Sequence, residues 1–392
     1  MRKSFLKISL FFVAATAIIS CGDDDNQTPI NNNLVSKKDI IANYANIAYE
    51  NYKQAYDDAV VLKTAINAFT TTPTEANFTA AKDKWKLARE SYGTTEAFRF
   101  ANGPIDTGDD APEGLLNAWP LDENYIDYVD GNSNAGIIND LGTYPNITTD
   151  LLVDLNEAGD EKNISTGYHA IEFLLWGQDL TDPTADTPGL RPYTDFVDGG
   201  TAANQDRRRA YLNACADLLI EHLGYLVDQW QPEGEYRTAF LALNENEAIK
   251  NIYLGITTLV MAELPVERME VALANANQED EHSCFSDNTH RDIFLNMQGV
   301  INIYEGKYGA IEGASLQSLV NTVDPFTGLQ TNNAINAAEE AVDDILTPFD
   351  HAISGGAEST EGAKVQNAVV KLKELGSNLL AGATKLGINV NG

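Results

Sequence analysis

The apolar residues of this chain recur at intervals of three and four positions, the spacing that places side chains on one face of an α-helix. From residue 36 onward, Ile40, Tyr44 and Ile47 follow this spacing, and Ser36 precedes them where a serine caps a first turn. The pattern predicts a long amphipathic first helix. A second helix is expected to start at Pro73, because proline suits the first helical position.

Two irregular stretches, 101–165 and 178–205, interrupt the helical pattern. Further helical patterns cover 206–231, 235–276, 288–305, 332–353 and 360–386. No stretch alternates with a period of two for long, so the sequence predicts an all-α fold of two helical-bundle domains packed together. The predicted domains are an N-terminal helical domain over 36–205 and a C-terminal bundle over 206–392.

The N-terminus has the features of an export signal. Three basic residues precede an apolar run over 8–19, which is shorter than the roughly 20 residues needed to span a bilayer. The run ends in a small residue followed by Cys21, which resembles a bacterial lipobox. Residues 1–20 are therefore predicted to be a lipoprotein signal peptide, with Cys21 as the lipidated first residue of the mature chain. A simple secretory signal with a chance cysteine is the alternative.

The segment that follows is polar and too poor in apolar surface to fold, so residues 21–35 are predicted to form a tether. Acidic residues directly after Cys21 resemble the surface-export signal of some Gram-negative lipoproteins. We therefore expect a lipid-anchored protein of the cell envelope, on the outer membrane rather than the inner, facing the periplasm or the cell surface.

The chain is strongly acidic, with 58 acidic and 26 basic residues and a formal net charge of −32. Loss of residues 1–20 would remove three basic residues and leave −35. Such a balance repels nucleic acid and anionic lipid, and it favours cationic partners. Beyond the lipidated residue only Cys215 and Cys284 remain, and we expect two buried thiols rather than one disulfide.

An imidazole and a carboxylate stand three residues apart within the apolar run 167–177. On a helix, His169 and Glu172 would share a face with their Cβ atoms about 5–6 Å apart, close enough to bind one ion. The alternative is a core histidine that is hydrogen-bonded to a neighbour.

Two more carboxylates are candidates in the first half of the chain. Glu96 follows the predicted apolar stripe of the second helix, where it can reach Arg89 or Arg99 and would pair with an arginine, a metal or both. Asp122 follows a Trp-Pro-Leu sequence, where a capping or turn role competes with a ligand role.

A second concentrated segment covers 283–292. Ser286 or Asp287 is expected to cap the helix that follows, and Asp287 with His290 repeats the spacing of an acid and an imidazole three residues apart. The other histidines are expected at the surface or at helix ends: His222, His282 and His351.

Several segments together resemble the imelysin-like proteins, which are related to bacterial iron-regulated lipoproteins and to a group of insulin-cleaving membrane proteases. The resemblance covers about residues 40–386, and Gly-x-His-x-x-Glu at 167–172 with Ser-Asp-Asn-Thr-His at 286–290 makes it specific. The resembling segments are 85–89, 95–100, 103–106, 119–122, 167–177, 267–269 and 284–290.

The resemblance implies two helical-bundle domains with the signature residues at their interface, and a role in bacterial iron uptake; imelysins are also classed as metallopeptidases. His169 and Glu172 match the signature pair, Glu96 and Asp122 match polar positions of the first domain, and Asp287 and His290 match those of the second. The matching segments also contain the candidate site residues Arg99, Arg268 and Ser286.

The sequence favours a binding protein over a peptidase. A zinc peptidase of the familiar kind needs three protein ligands, an open position for water and a glutamate as general base, whereas this helix offers one imidazole and one carboxylate. If Glu172 is a ligand, it is not free to act as the base.

Imidazole with carboxylates suits iron as well as zinc, so we predict a divalent or ferric ion, with iron favoured and zinc possible. The predicted ligands are His169, Glu172, Glu96, Asp287 and His290. Expected partners are the metal ion, the membrane through a lipid anchor, and outer-membrane iron-uptake proteins, but not nucleic acid. A metallopeptidase that uses His169 and Glu172 is the alternative, and haem or siderophore binding has no support in the sequence.

Replacement of Cys21 by serine should move the protein from the membrane fraction to the soluble fraction, because residues 8–19 are too short to span a bilayer once the lipid is lost. Fractionation of cells that express the wild type and Cys21→Ser measures this. If the variant remains with the membrane as the wild type does, the lipoprotein assignment is wrong.

Overall fold

The computed structural model describes residues 35–108 and 111–390, and the fold is all-α as predicted. The signal peptide, most of the tether and Cys21 lie outside the described residues. Among the helices of the described part, none is both long and apolar enough to cross a membrane.

Long helices form the body of the fold, and short helices and loops connect them. The helices are α1 Lys37–Thr71, α2 Glu75–Thr95, α3 Glu113–Leu116, α4 Glu123–Ile126, α5 Gly136–Asn139, α6 Thr149–Leu155, α7 Gly167–Trp176, α8 Gln205–Trp230, α9 Glu235–Leu241, α10 Glu245–Thr258, α11 Val271–Asn275, α12 Thr289–Glu305, α13 Leu316–Val323, α14 Pro325–Asp343, α15 Phe349–Ile353 and α16 Thr360–Lys385.

Other hydrogen-bonding patterns occur at a few places. A π-helical segment, Leu259–Glu270, joins α10 to α11, and it contains Pro265. Short 3₁₀ turns cover Glu96–Phe98, Pro183–Ala185, Tyr193–Phe196 and Gln278–Asp280. The strands β1 Lys307–Tyr308 and β2 Ile311–Glu312 pair antiparallel in a small hairpin.

The first helix is the centre of the N-terminal half. Its N-cap is Ser36, whose side chain accepts a hydrogen bond from the backbone N–H of Asp39. Helix α1 packs along both α2 and α8, and its buried face includes Tyr44, which contacts Trp230 of α8 edge to face at 5.8 Å between ring centroids. Aromatic pairs of this kind stabilise the interface beyond the area they bury.

The helices around the site pack in two groups, one around α7 and one around α12. Helix α7 packs against α2, α3 and α8, while α12 packs against α2 and the π-helical segment. Helix α2 therefore contacts both α7, which carries His169, and α12, which follows the second motif. Residues 35–392 cluster as one compact unit, and a division before Asp206 stays a prediction.

Several helix boundaries differ from the prediction. Helix α2 begins at Glu75 with Thr74 as its cap, so Pro73 precedes the cap. The predicted helix over 235–276 is interrupted at 242–244, where Asn244 caps a new helix. The predicted helix over 332–353 is instead α14 followed by α15, and α13 was not predicted. Both Cys215 and Cys284 are buried and unbridged, as expected.

Candidate metal centre

Helix α7 begins at a glycine because no other residue fits there. Gly167 has φ +83°, and a Cβ atom at this position would lie 2.5 Å from the carbonyl oxygen of Leu116. Glycine adopts such a backbone conformation without the steric cost that a side chain brings. The close approach fixes the start of the helix, and therefore the depth at which His169 and Glu172 enter the core.

His169 and Glu172 lie together on the buried face of α7, as the spacing predicted. The Nδ1 atom of His169 is 2.9 Å from Oε2 of Glu172. The other carboxylate oxygen, Oε1, accepts hydrogen bonds from the backbone N–H of Ser286 at 3.0 Å and from its hydroxyl at 2.6 Å. Both oxygens of Glu172 are thus engaged, and its carboxylate orients the His169 ring.

A second imidazole faces the first. His282 is only 2% exposed, and its ring centroid lies 4.6 Å from that of His169 with an interplanar angle of 75°. Its Nδ1 atom is 2.8 Å from Oδ2 of Asp292. The expectation that His282 lies at the surface or at a helix end was therefore wrong.

The two rings share one unusual feature. The Nε2 atoms of His169 and His282 are buried and have no hydrogen-bond partner among the described residues. Each ring is held at Nδ1 by a carboxylate, the arrangement that orients histidine ligands in metal sites. The pair therefore offers two oriented nitrogen atoms on neighbouring rings to a ligand.

Electrostatics keep both imidazoles neutral. Burial, with Arg89 next in importance, lowers the pKa of His169 to about 3. Burial and then Arg268 lower the pKa of His282 to about 3 as well. Burial raises the pKa of Glu172 to about 8, although the Ser286 hydrogen bonds oppose this shift. An ion bound at Nε2 would favour the ionised carboxylate, so metal binding should release a proton from the His169–Glu172 pair.

Asp292 connects this pair to buried arginines. Arg89 donates from Nη2 to Oδ1 of Asp292 at 2.9 Å and from Nη1 to Oδ1 of Asn117 at 2.6 Å. Asn117 in turn donates to Oε1 of Glu96 at 3.3 Å. Burial opposes ionisation of Asp292, but Arg89 and His282 hold its pKa well below the usual range. The carboxylate that holds His282 is therefore charged.

Glu96 joins the same hydrogen-bond network through Asn117 and contacts two arginines. Its Oε2 accepts from Arg268 at 2.7 Å and from Arg99 at 3.3 Å. Burial would raise the pKa of Glu96, yet Arg268 and Arg99 lower it to about 2. The arginine pairing anticipated for Glu96 is confirmed, whereas its role as a metal ligand stays a prediction.

Three other candidate residues lie apart from the two imidazoles. Asp122 caps α4 by accepting from the backbone N–H of Asn124 at 3.0 Å, which was the alternative to a ligand role. His290 lies in the first turn of α12 and lines a groove with Val342. Asp287 has φ +55° and lies near Asp179 and Asp350 instead.

The predicted cap of α12 is a further difference. Asn288 occupies the cap position, while Ser286 binds Glu172, so neither Ser286 nor Asp287 caps the helix. The backbone between 283 and 289 is folded back on itself, with Asn288 N–H donating to the carbonyl of Ser283 at 3.2 Å. This turn is what brings the Ser286 side chain to Glu172.

Sequence reasoning missed His282, Asp292 and Asn117. His282 and Asp292 are ten residues apart and are separated by the turn that precedes α12, so no helical spacing links them. The available signal was a cluster of polar residues in a segment that lacks a solvent-facing pattern, Glu281-His282-Ser283 directly before the motif.

Comparisons with known proteins agree with this architecture. The family model described as imelysin, in the M75 peptidase group, matches residues 48–379. The chain is 24% identical over 347 residues to iron-regulated protein A of Synechococcus elongatus. The aligned region covers 86% of this chain and 81% of that protein.

Two crystal structures share the fold. One is designated an iron-regulated protein A precursor from Parabacteroides distasonis, with a TM-score of 0.69 and 17% identity over 89% of this chain and 94% of that one. The other is an imelysin-like protein from Psychrobacter arcticum, with a TM-score of 0.63 and 13% identity over 91% of this chain and 97% of that one.

Replacement of Arg89 by methionine should destabilise the protein by about 3–5 kcal/mol, because it leaves the Asp292 charge buried without its partner. The matched control is Arg291→Met, whose ion pair with Glu90 is partly exposed and should be worth about 1 kcal/mol or less. Denaturant unfolding measures both variants. Equal losses of unfolding free energy would show that the Arg89–Asp292 pair is no more important than a surface pair.

Proposed function

This chain belongs to the imelysin family, and on that premise we propose that it binds a metal ion at His169 and His282 and takes part in bacterial iron uptake. The ion is divalent or ferric, with iron favoured and zinc as the other candidate. The protein would act as a lipid-anchored component of the cell envelope, attached through Cys21.

The observation that supports metal binding is the pair of orphaned nitrogen atoms. A buried polar atom without a partner carries a free-energy cost, and this chain places two of them on neighbouring rings whose centroids are 4.6 Å apart. Glu172 and Asp292 contact Nδ1 of the two rings, which fixes the orientation of each free Nε2 atom. An ion bound there would satisfy both nitrogens at once.

The preference for iron draws on the relatives and on ligand chemistry. Two of the similar proteins are named as iron-regulated. Imidazole nitrogen suits iron, zinc and other transition metals, so the ligands alone are compatible with iron but do not select it. The acidic charge of the chain would favour the approach of a cation.

Access to the pair requires movement of a covering segment. His169 is 1% exposed and His282 is 2% exposed, so solvent does not reach either ring in this conformation. The turn over 281–288 carries His282 and Ser286, so its movement would displace one of the two rings. Two protein nitrogens leave other coordination positions for water or for a molecule that arrives with the ion.

A metallopeptidase remains the second candidate, and its support is the peptidase class of the family model. In the described arrangement Glu172 uses one oxygen for His169 and the other for Ser286. Neither oxygen is free to accept a proton from water, so this carboxylate would have to give up a contact to act as general base. The geometry favours binding.

The proposed site is tested by titration of the metal-free mature protein with Fe²⁺ under anaerobic conditions, and separately with Zn²⁺. His169→Ala and His282→Ala should each weaken binding by more than about 100-fold, since each removes a ligand. Glu172→Gln, which keeps the shape of the side chain, should weaken it by about 10–100-fold.

His222→Ala is the matched control, because this partly buried histidine lies on α8 outside the network. It should bind like the wild type. Unchanged affinity in both site variants would refute the site. Metal-dependent cleavage of an unfolded protein substrate that disappears in Glu172→Ala would favour the peptidase instead.

A further inference from the structure

Four buried carboxylates from three parts of the chain form a group separate from the imidazole pair. Asp179 follows α7, Glu281 precedes the second motif, Asp287 lies within it, and Asp350 lies in the first turn of α15. One oxygen each from Asp179, Asp287 and Asp350 lie within 4.8 Å of one another. The elements that supply them are far apart in sequence, so the fold itself brings the charges together.

This group contains more unpartnered oxygen atoms than any other set of buried carboxylates in the described part of the chain, although Oδ1 of Asp179 accepts hydrogen bonds from the backbone N–H and the hydroxyl of Thr181. Elsewhere each one contacts an arginine, a hydroxyl or an imidazole, as Asp127 does with Arg191 and Arg208. In the group, seven oxygen atoms are buried without a hydrogen-bond partner. They are Asp179 Oδ2, both carboxylate oxygens of Glu281, both of Asp287 and both of Asp350.

Among the four carboxylates, Asp287 gives the clearest evidence of a missing partner. Its residue is 7% exposed, and neither of its carboxylate oxygens has a hydrogen-bond partner. Its backbone has φ +55°, a left-handed conformation that costs free energy for a residue with a side chain. Burial and then the neighbouring Asp350 raise the pKa of Asp287 to about 7, and burial raises that of Asp350 to about 6.

Carboxylates that repel one another in this way need a compensating charge. Charged groups are almost never buried unless they are paired or coordinate a metal. Within residues 35–108 and 111–390 no lysine or arginine forms an ion pair with any of the four, although Lys86 is near enough to oppose the rise in the pKa of Asp287. A bound cation would supply this charge, whereas without a cation the raised pKa values of Asp287 and Asp350 favour protonation.

We propose that Asp179, Asp287 and Asp350 form a second cation site, with Glu281 beside them, and that its ion is a hard divalent cation of the Ca²⁺ type. Calcium takes six to eight oxygen ligands at about 2.3–2.6 Å, so opposite ligands are about 5 Å apart. Three oxygens within 4.8 Å of one another, together with the supply of unpartnered oxygens, are compatible with this geometry. Magnesium, which demands a tighter octahedral shell and retains its waters, fits less well.

The ion would join three parts of the fold. It would tie the segment that carries His282 and Ser286 to the loop after α7 and to α15. The site is distinct from the imidazole pair, because it consists of oxygen ligands alone and shares no side chain with it. Its role would be to stabilise the segment that carries His282 and Ser286.

The test uses the mature protein freed of metals with a chelator and then titrated with Ca²⁺, with calorimetry and thermal unfolding as readouts. The wild type should bind one Ca²⁺ at this site, and its melting temperature should rise by about 4 °C when free Ca²⁺ is about 100 times the dissociation constant. Asp350→Asn should weaken Ca²⁺ binding by about tenfold or more, because it removes a charged ligand. Without metal, this variant should be at least as stable as the wild type, since one repelling charge is gone.

Asp130→Asn is the matched control, because it removes an exposed carboxylate near the same face and should leave Ca²⁺ binding unchanged. His169→Ala should also retain the full Ca²⁺ response, which separates this site from the imidazole pair. No thermal shift with Ca²⁺ in the wild type, or the same shift in Asp350→Asn, would overturn the proposal. Binding of Fe²⁺ but not Ca²⁺ at these carboxylates would overturn the choice of ion.

Discussion

The ion pair between Arg89 and Asp292 is the constraint on which the rest of the site depends. Both side chains are fully buried, and they join α2 to α12 through a contact of 2.9 Å. Two buried charges are tolerated when each has a partner and further hydrogen bonds satisfy most of the remaining donors and acceptors; here only Nε of Arg89 lacks a partner on the arginine side. Here Asp292 also accepts from the hydroxyl of Ser283 and contacts His282, and Arg89 also binds Asn117. The orientation of His282 follows from this pair.

The same principle sorts the buried charges of the molecule into two kinds. Glu96, Asp127 and Asp292 are neutralised by arginines from other segments, and these contacts hold the fold together. The carboxylates around Asp287 have no such partner among the described residues. The free Nε2 atoms of His169 and His282 and the unpartnered carboxylate oxygens around Asp287 thus form separate groups, which matches the different ligand preferences of transition metals and of calcium. The segment over 281–292 contributes to both places and to the arginine network.

The spacing of apolar residues predicted those features of the fold that depend on the sequence of a single helix. The first helix, its Ser36 cap and the shared face of His169 and Glu172 follow from spacing alone. The break between α14 and α15 and the turn before α12 depend on contacts with distant segments, which a local pattern does not contain. The ion pair of Glu96 with Arg99 could be predicted from the sequence, because the two residues are three positions apart. The contact of His282 with Asp292 could not, because a turn separates the two residues.

The central claim is that His169 and His282 bind one metal ion through their Nε2 atoms. The most direct measurement is anomalous diffraction from crystals of the mature protein grown with Fe²⁺ in the absence of oxygen, recorded on both sides of the iron absorption edge. The account predicts an iron peak at bonding distance from both Nε2 atoms. An iron peak elsewhere in the protein, with the two nitrogens left without an ion, would contradict it.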